Sequence, residues 1–166
     1  MTFPAPLLDQ AEALLAAYRR AGLTLATAES CPGGLVAGCL TEIAGSSDVF
    51  ERGFVSYSNA AKTELLGVPE NLIAERGAIS AEAAEAMARG ALARSRADAT
   101  VALTGVAGPG GVTAEKPVGL VHLCAIRRGG AAHQRREIFA GDRAAVRLGS
   151  IAAALELLGE LLDDSL

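Results

Sequence analysis

A serine and two lysines carry most of the chemistry this sequence can offer. Ser30 lies in LTLATAESCPGG (Leu23–Gly34), where an apolar run meets Glu29, Ser30 and Cys31 and then Pro32, Gly33 and Gly34. This pattern reads as a short buried strand that enters a Gly-rich turn and opens a helix. In an open α/β sheet, ligands bind just beyond the carboxyl ends of the strands. A hydroxyl placed there, beside the free N–H groups of a helix start, can meet an anion or a developing oxyanion. The same hydroxyl can equally serve as a helix N-cap. Cys31 is a rival nucleophile at the same turn, but it lacks an evident histidine partner.

Of the fifteen cationic residues, only Lys62 and Lys116 are lysines. Arginine effectively cannot lose its proton, whereas a lysine whose pKa is lowered can act as a base. Lys62 follows the strand-like run RGFVSYS (Arg52–Ser58), with Tyr57 and Ser58 at its end and Asn59 as the expected cap of a helix over Ala60–Leu66. It therefore falls in the first turn of that helix. A helix start disfavours positive charge and lowers an ammonium pKa, the direction a general base needs. Lys116, in TAEKP, reads as a solvated loop charge within reach of an anion.

The buried strand Ala99–Leu103 runs into TGVAGPGG (Thr104–Gly111), in which five of eight residues are Gly or Pro. Such a loop lets backbone approach a ligand and present N–H groups to a phosphate. It lacks the ending of a Walker A loop and does not fit GxGxxG. Arg143 and Arg147 lie one helical turn apart at the start of the closing helix. They can clamp a phosphate between them, or form surface ion pairs. The histidines, His122 and His133, fall in predicted strands, and Cys31, Cys39 and Cys124 show no CxxC spacing. No metal site and no cofactor are expected, and the thiols read as reduced.

The elements that must position these residues follow from periodicity and breakers. Helices are predicted over Pro6–Ala21, Leu35–Ile43, Ala81–Arg96 (capped by Ser80) and Arg143–Leu161 (capped by Asp142). Glu70–Glu75 reads as a turn after the break at Gly67–Pro69. Val118–Ile126 and His133–Ala140 flank Arg127–Ala132 as a hairpin, which requires a mixed sheet. The order gives an α/β fold: a single three-layer α/β/α domain over residues 1–166, with a mixed, mostly parallel sheet.

Composition narrows the function. The chain has 166 residues, 51% apolar and 20% charged, with a net charge of −4, which argues against disorder and against a general attraction to nucleic acid or anionic membrane. Aromatics are 4% without tryptophan, so stacking platforms for bases are few. No apolar run reaches membrane-spanning length, and MTFPAPLLDQ lacks the basic and long apolar regions of a signal peptide. A cytoplasmic protein is the expectation. The apolar helix faces are compatible with a homo-oligomer, a symmetric dimer being the simplest.

TAESCPGG (Thr27–Gly34), VSYSNAAKTELLGV (Val55–Val68), LTGVAGPGG (Leu103–Gly111) with EKPVG (Glu115–Gly119), and GDR (Gly141–Arg143) occur in this order. Together they resemble the CinA C-terminal-domain family, whose enzymatic members are nicotinamide-nucleotide amidohydrolases. The resemblance runs from about Leu23 to the closing helix. It implies deamidation of nicotinamide mononucleotide to nicotinate mononucleotide and ammonia, in pyridine-nucleotide salvage and without a metal. It implies Ser30 as nucleophile, Lys62 as its base and Tyr57 as a third member that orients or relays a proton. Glu29, Gly33, Gly34, Asn59, Thr104, Gly105, Gly108 and Arg143 are the implied substrate-binding set. The N–H groups around Gly33 and Gly34 would face the oxyanion, and Arg143 the phosphate. The chain departs from the family at Pro32, where threonine is usual; proline removes a backbone N–H and a hydroxyl from the turn. That departure favours the other reading, a non-catalytic nucleotide-binding regulatory module.

Overall fold

The computed structural model describes residues 3–163. Five strands, β1 (Leu25–Glu29), β2 (Phe50–Val55), β3 (Ala99–Gly105), β4 (Leu120–Arg127) and β5 (Ala132–Ile138), form one sheet in the order β2-β1-β3-β4-β5. β1 pairs in parallel with β2 and β3, and β4 pairs antiparallel with β3 and β5. Four of the five strands therefore share one direction, as expected of a mixed sheet, and only β4 opposes them. The chain leaves β1 for β2 on one side and returns to β3 on the other. The carboxyl end of β1 is thus a switch point of strand order, where α/β sheets place their ligands.

Helices cover both faces. α1 (Ala5–Ala21), α2 (Leu35–Glu42) and α6 (Arg143–Asp163) pack on one side, around Leu15, Tyr18, Leu40, Ile151 and Leu155. α3 (Asn59–Leu66), α4 (Glu70–Arg76) and α5 (Ala81–Ala93) occupy the other, whose core holds Leu66, Met87, Ala88 and Ile126. The segment expected as a turn, Glu70–Glu75, is the helix α4: Pro69 starts it and Gly77 ends it. Asp142 caps α6 as predicted, accepting from the Ala145 N–H. Ser80 caps α5 as predicted, accepting from the Ala83 N–H. β2 ends at Val55, three residues before the predicted end. Tyr57 and Ser58 consequently lie in the connection to α3.

α3 is short but fixed at both ends. Ser58, not Asn59, is its N-cap and accepts from the Ala61 N–H at 3.0 Å. At its other end Gly67 adopts φ 67°, and the Gly67 and Val68 N–H groups return to Thr63 and Lys62 carbonyls. Arg94 Nη1 donates to the Leu66 carbonyl at 2.9 Å, and Gly90 of α5 lies directly against the same carbonyl. A Cβ at Gly90 would stand inside that group. Gly90→Ala should therefore push α3 off α5 and cost about 1–3 kcal/mol, the range for overpacking a tight contact. The measurement is urea unfolding; an unchanged midpoint would show that α3 is not held at this distance.

Candidate active site

The strand alternation decides where Glu29 and Ser30 point, and it sends them to opposite faces. Leu25 belongs to the core beneath α1, α2 and α6, and Ala28 to the core beneath α5. Glu29 follows the first, Ser30 the second. The peptide joining them is tied on both sides: the Glu29 carbonyl accepts from the Ser56 N–H and the Ser30 N–H donates to the Leu103 carbonyl, each at 2.9 Å. Both neighbouring strands thus hold the backbone from which Ser30 projects.

Lys62 meets Ser30 from α3. Its Nζ lies 3.0 Å from Ser30 Oγ, 3.0 Å from the Ser56 carbonyl oxygen and 3.3 Å from the Tyr57 carbonyl oxygen. The side chain is 1% exposed. No ion pair of Lys62 exists among the described residues, and burial alone pulls its pKa below the ordinary lysine value. The sequence predicts the direction but attributes it to the helix start; desolvation is the cause. A neutral amine has two hydrogens and one lone pair. Two carbonyls, which can only accept, take the hydrogens, and the lone pair is left for the Ser30 hydroxyl.

Glu29 does not line the cleft. It is fully buried, and its carboxylate accepts from the N–H groups of Gly34 (2.8 Å), Val36 (3.1 Å) and Ala37 (2.9 Å). Burial raises its pKa while these three bonds oppose the rise. The positive end of α2, expected to receive an anion, is therefore filled by the chain's own carboxylate. Gly34 is corrected with it: its N–H belongs to Glu29, and Gly34 does not line the cleft. Gly33 does.

The cleft has a volume of about 450 Å³ and opens between the ends of β1 and β3 and the first turn of α6. Of the predicted set, Ser30, Lys62, Tyr57, Gly33, Asn59, Thr104, Gly105, Gly108 and Arg143 line it. Thr104 is buried and donates its hydroxyl to the Ala78 carbonyl at 2.7 Å, which draws the segment before α5 into the wall. The loop glycines answer mainly to packing. A Cβ at Gly105 would lie 2.6 Å from the Leu120 carbonyl oxygen, and one at Gly108 2.8 Å from Val118. Gly110 faces open space. Lys116 lies outside the cleft, against Gly77.

Arg147, which the sequence offers with Arg143 as a phosphate clamp, lines the cleft, as do the apolar Ala78 and Ile79, which the sequence does not single out. The four-residue spacing from Arg143 was the available signal for Arg147; nothing local marked Ala78 and Ile79. Arg147 grips the Pro32 carbonyl through Nε (3.3 Å) and Nη2 (3.1 Å), and Arg143 Nη1 donates to the Gly108 carbonyl at 2.8 Å. Each fork keeps further hydrogens for a ligand. Among the described residues no carboxylate and no histidine lines the cleft. Cys31 borders the cleft and packs into the core on the α6 side, and burial raises its thiol pKa, which works against a thiolate there.

A family model described as the CinA C-terminal domain matches residues 8–162. The chain is 48% identical to the nicotinamide-nucleotide amidohydrolase PncC of Escherichia coli K12, over 92% of each protein. It is 52% identical to a CinA-like protein of Mycobacterium sp. strain JLS over 94% of this chain; it spans only 36% of that relative's length. In structure it is similar to the competence/damage inducible protein CihA of Agrobacterium tumefaciens, with a TM-score of 0.95, 48% identity and coverage of 97% and 98% of the two chains.

The buried amine also sets a pH dependence of stability. Between its lowered folded pKa and the ordinary 10.5, the unfolded chain holds a proton on Lys62 that the folded chain does not. Stability attributable to this group therefore rises with pH across that window and is flat on either side. Comparing the unfolding free energy with that of Lys62→Met over this range reads the effect: the wild-type chain should gain on the variant as pH rises. A constant difference would mean that the amine is not desolvated.

Proposed function

The chain belongs to the CinA C-terminal-domain family, and on that premise we propose that it is an amidohydrolase that converts nicotinamide mononucleotide to nicotinate mononucleotide and ammonia through a serine–lysine pair. The observation that carries this reading is the 3.0 Å separation of Lys62 Nζ from Ser30 Oγ, with two carbonyls occupying the remaining donors of the amine.

An amide is a weak electrophile and an alcohol a weak nucleophile, so both need activation. Ser30 Oγ attacks the carboxamide carbon as its proton passes to Lys62 Nζ. The tetrahedral intermediate collapses when the C–N bond breaks and Lys62 returns that proton to the departing nitrogen, releasing ammonia. The nicotinoyl ester left on Ser30 is then attacked by water as Lys62 takes one of its protons; the Ser30 Oγ–C bond breaks, Lys62 returns that proton to Oγ, and the acid leaves as its carboxylate with its remaining proton released to solvent. One amine serves as base and acid in turn, which removes the need for a histidine. Desolvation works against the ammonium and so towards the neutral amine that the first step needs, while the two carbonyls hold the nitrogen in place.

The rest of the cleft suits the same molecule. Arg143 and Arg147 are held by loop carbonyls with N–H groups to spare, a good match to a phosphate. Ala78, Ile79, Pro32 and Val106 give the wall an apolar side for a heterocycle. With Gly34 committed to Glu29, backbone donors to the oxyanion come from the Cys31–Gly33 side of the turn. Proline at position 32 gives none, and its carbonyl instead anchors Arg147.

Incubation with nicotinamide mononucleotide should release ammonia and nicotinate mononucleotide in equal amounts. Ser30→Ala should lower turnover by at least about a thousand-fold, as loss of a nucleophile does, while leaving the unfolding midpoint close to that of the wild type. Binding without ammonia release by the wild-type protein would instead support the regulatory-module reading. Arg143→Gln with Arg147→Gln should raise KM for the nucleotide far more than for nicotinamide riboside, which carries no phosphate; equal effects on both would remove the arginines from phosphate binding.

A further inference from the structure

We propose that the Tyr57 ring is a specificity-determining platform for a cationic heterocycle, so that the cleft favours a pyridinium nucleotide over its uncharged dihydropyridine counterpart. The ligand class rests on the amidohydrolase reading above; the platform itself rests on the geometry of the cleft mouth. Tyr57 is the only aromatic side chain lining the cleft among the described residues. At 64% it is also the most exposed large hydrophobic side chain among them.

Two observations place the ring at the mouth. Its Cε2 lies 3.9 Å from where a Gly33 Cβ would stand, so it overhangs the turn that carries Ser30. Its hydroxyl oxygen accepts from Arg143 Nη2 at 3.4 Å. No hydrogen bond links that hydroxyl to Ser30 or Lys62 among the described residues; the group of Tyr57 that meets Lys62 is the backbone carbonyl. The proton-relay role that the family resemblance implies for the side chain thus has no hydrogen bond behind it here.

Charge supplies the rest of the argument. Arg143 and Arg147 line the cleft and no carboxylate does. That balance suits a phosphate and disfavours a second positive charge. A pyridinium ring carries such a charge on its quaternary nitrogen. The electron-rich face of a tyrosine attracts a cation, and Tyr57 is the one aromatic ring that the lining offers among the described residues. Reduction removes both the charge and the aromaticity of the ligand ring, so a preference that depends on the Tyr57 side chain reports cation–π attraction together with aromatic stacking. Substitution of the side chain leaves the carbonyl that binds Lys62 in place.

The test uses Ser30→Ala protein, which binds ligand without consuming it. Calorimetric titration with nicotinamide mononucleotide and with its dihydro form gives an affinity ratio, measured again with Tyr57→Ala and with Tyr57→Phe added. The oxidised ligand should bind more tightly by about 3- to 30-fold, the span of a cation–π contact. The ratio should collapse towards one with Tyr57→Ala and be largely recovered with Tyr57→Phe, which keeps the ring and loses the hydroxyl. A purely structural tyrosine would weaken both ligands alike and leave the ratio standing. An unchanged ratio with Tyr57→Ala, an equal collapse with Tyr57→Phe, or no binding of either ligand overturns the proposal. Ammonia release by the wild-type protein is scored separately: its absence overturns the amidohydrolase reading, while the affinity ratio still decides the role of Tyr57.

Discussion

Everything in this cleft depends on an amine kept out of water without a counter-ion. A lysine surrounded by carbonyls and a hydroxyl, with no carboxylate in reach, can be accommodated in its neutral form at modest cost and in its charged form only at high cost. Pairing it with an acid would have stabilised the cation and removed the base. The fold therefore keeps its carboxylate on the other face of the sheet. Glu29 and Lys62 are both buried, and strand alternation holds their polar groups on opposite sides.

That arrangement also explains how a short helix can carry a site of such tight geometry. α3 is below the length at which helices are stable alone. It is held by a hydroxyl cap at one end, and at the other by a left-handed glycine and the Arg94 guanidinium on its last carbonyl. α5 sets its height above the sheet through the contact at Gly90. The Ser30 side is fixed differently, by ladder bonds from two strands to a single peptide unit. The proposed nucleophile and base come from separate elements: the peptide of Ser30 is itself held, and α3 is anchored about one helical turn to either side of Lys62.

Much of this was legible in the sequence. Strand and helix patterns located β1, β3, the hairpin, α5 and α6, because each carries a strong apolar period and a clear breaker. The scarcity of lysine singled out Lys62, and the Gly-rich turn singled out Ser30. What the sequence left hidden was mostly direction and bonding. Glu29 stands next to Ser30 in the chain, and only the two-residue period of the strand, applied past its end, separates their faces. Asn59 and Ser58 are both good caps, and choosing between them needs the backbone of the turn. α4 is short and amphipathic without a polar cap, so Pro69 alone marked its start. Ala78 and Ile79 enter the wall because Thr104 draws their segment inward, a tertiary bond no local pattern records.

The glycines of the loop after β3 fall into two kinds. Those at 105 and 108 are locked by close neighbours, and a side chain there would have to displace the start of β4 and the Val118 side chain respectively. Gly110 borders the same cleft with nothing within 4 Å of where a Cβ would sit, and its φ is not in the left-handed region. A side chain introduced there would stand at the border of the cleft without disturbing the core. In this scaffold, divergence towards bulkier or differently charged substrates has an open door at position 110, while its neighbours upstream stay frozen.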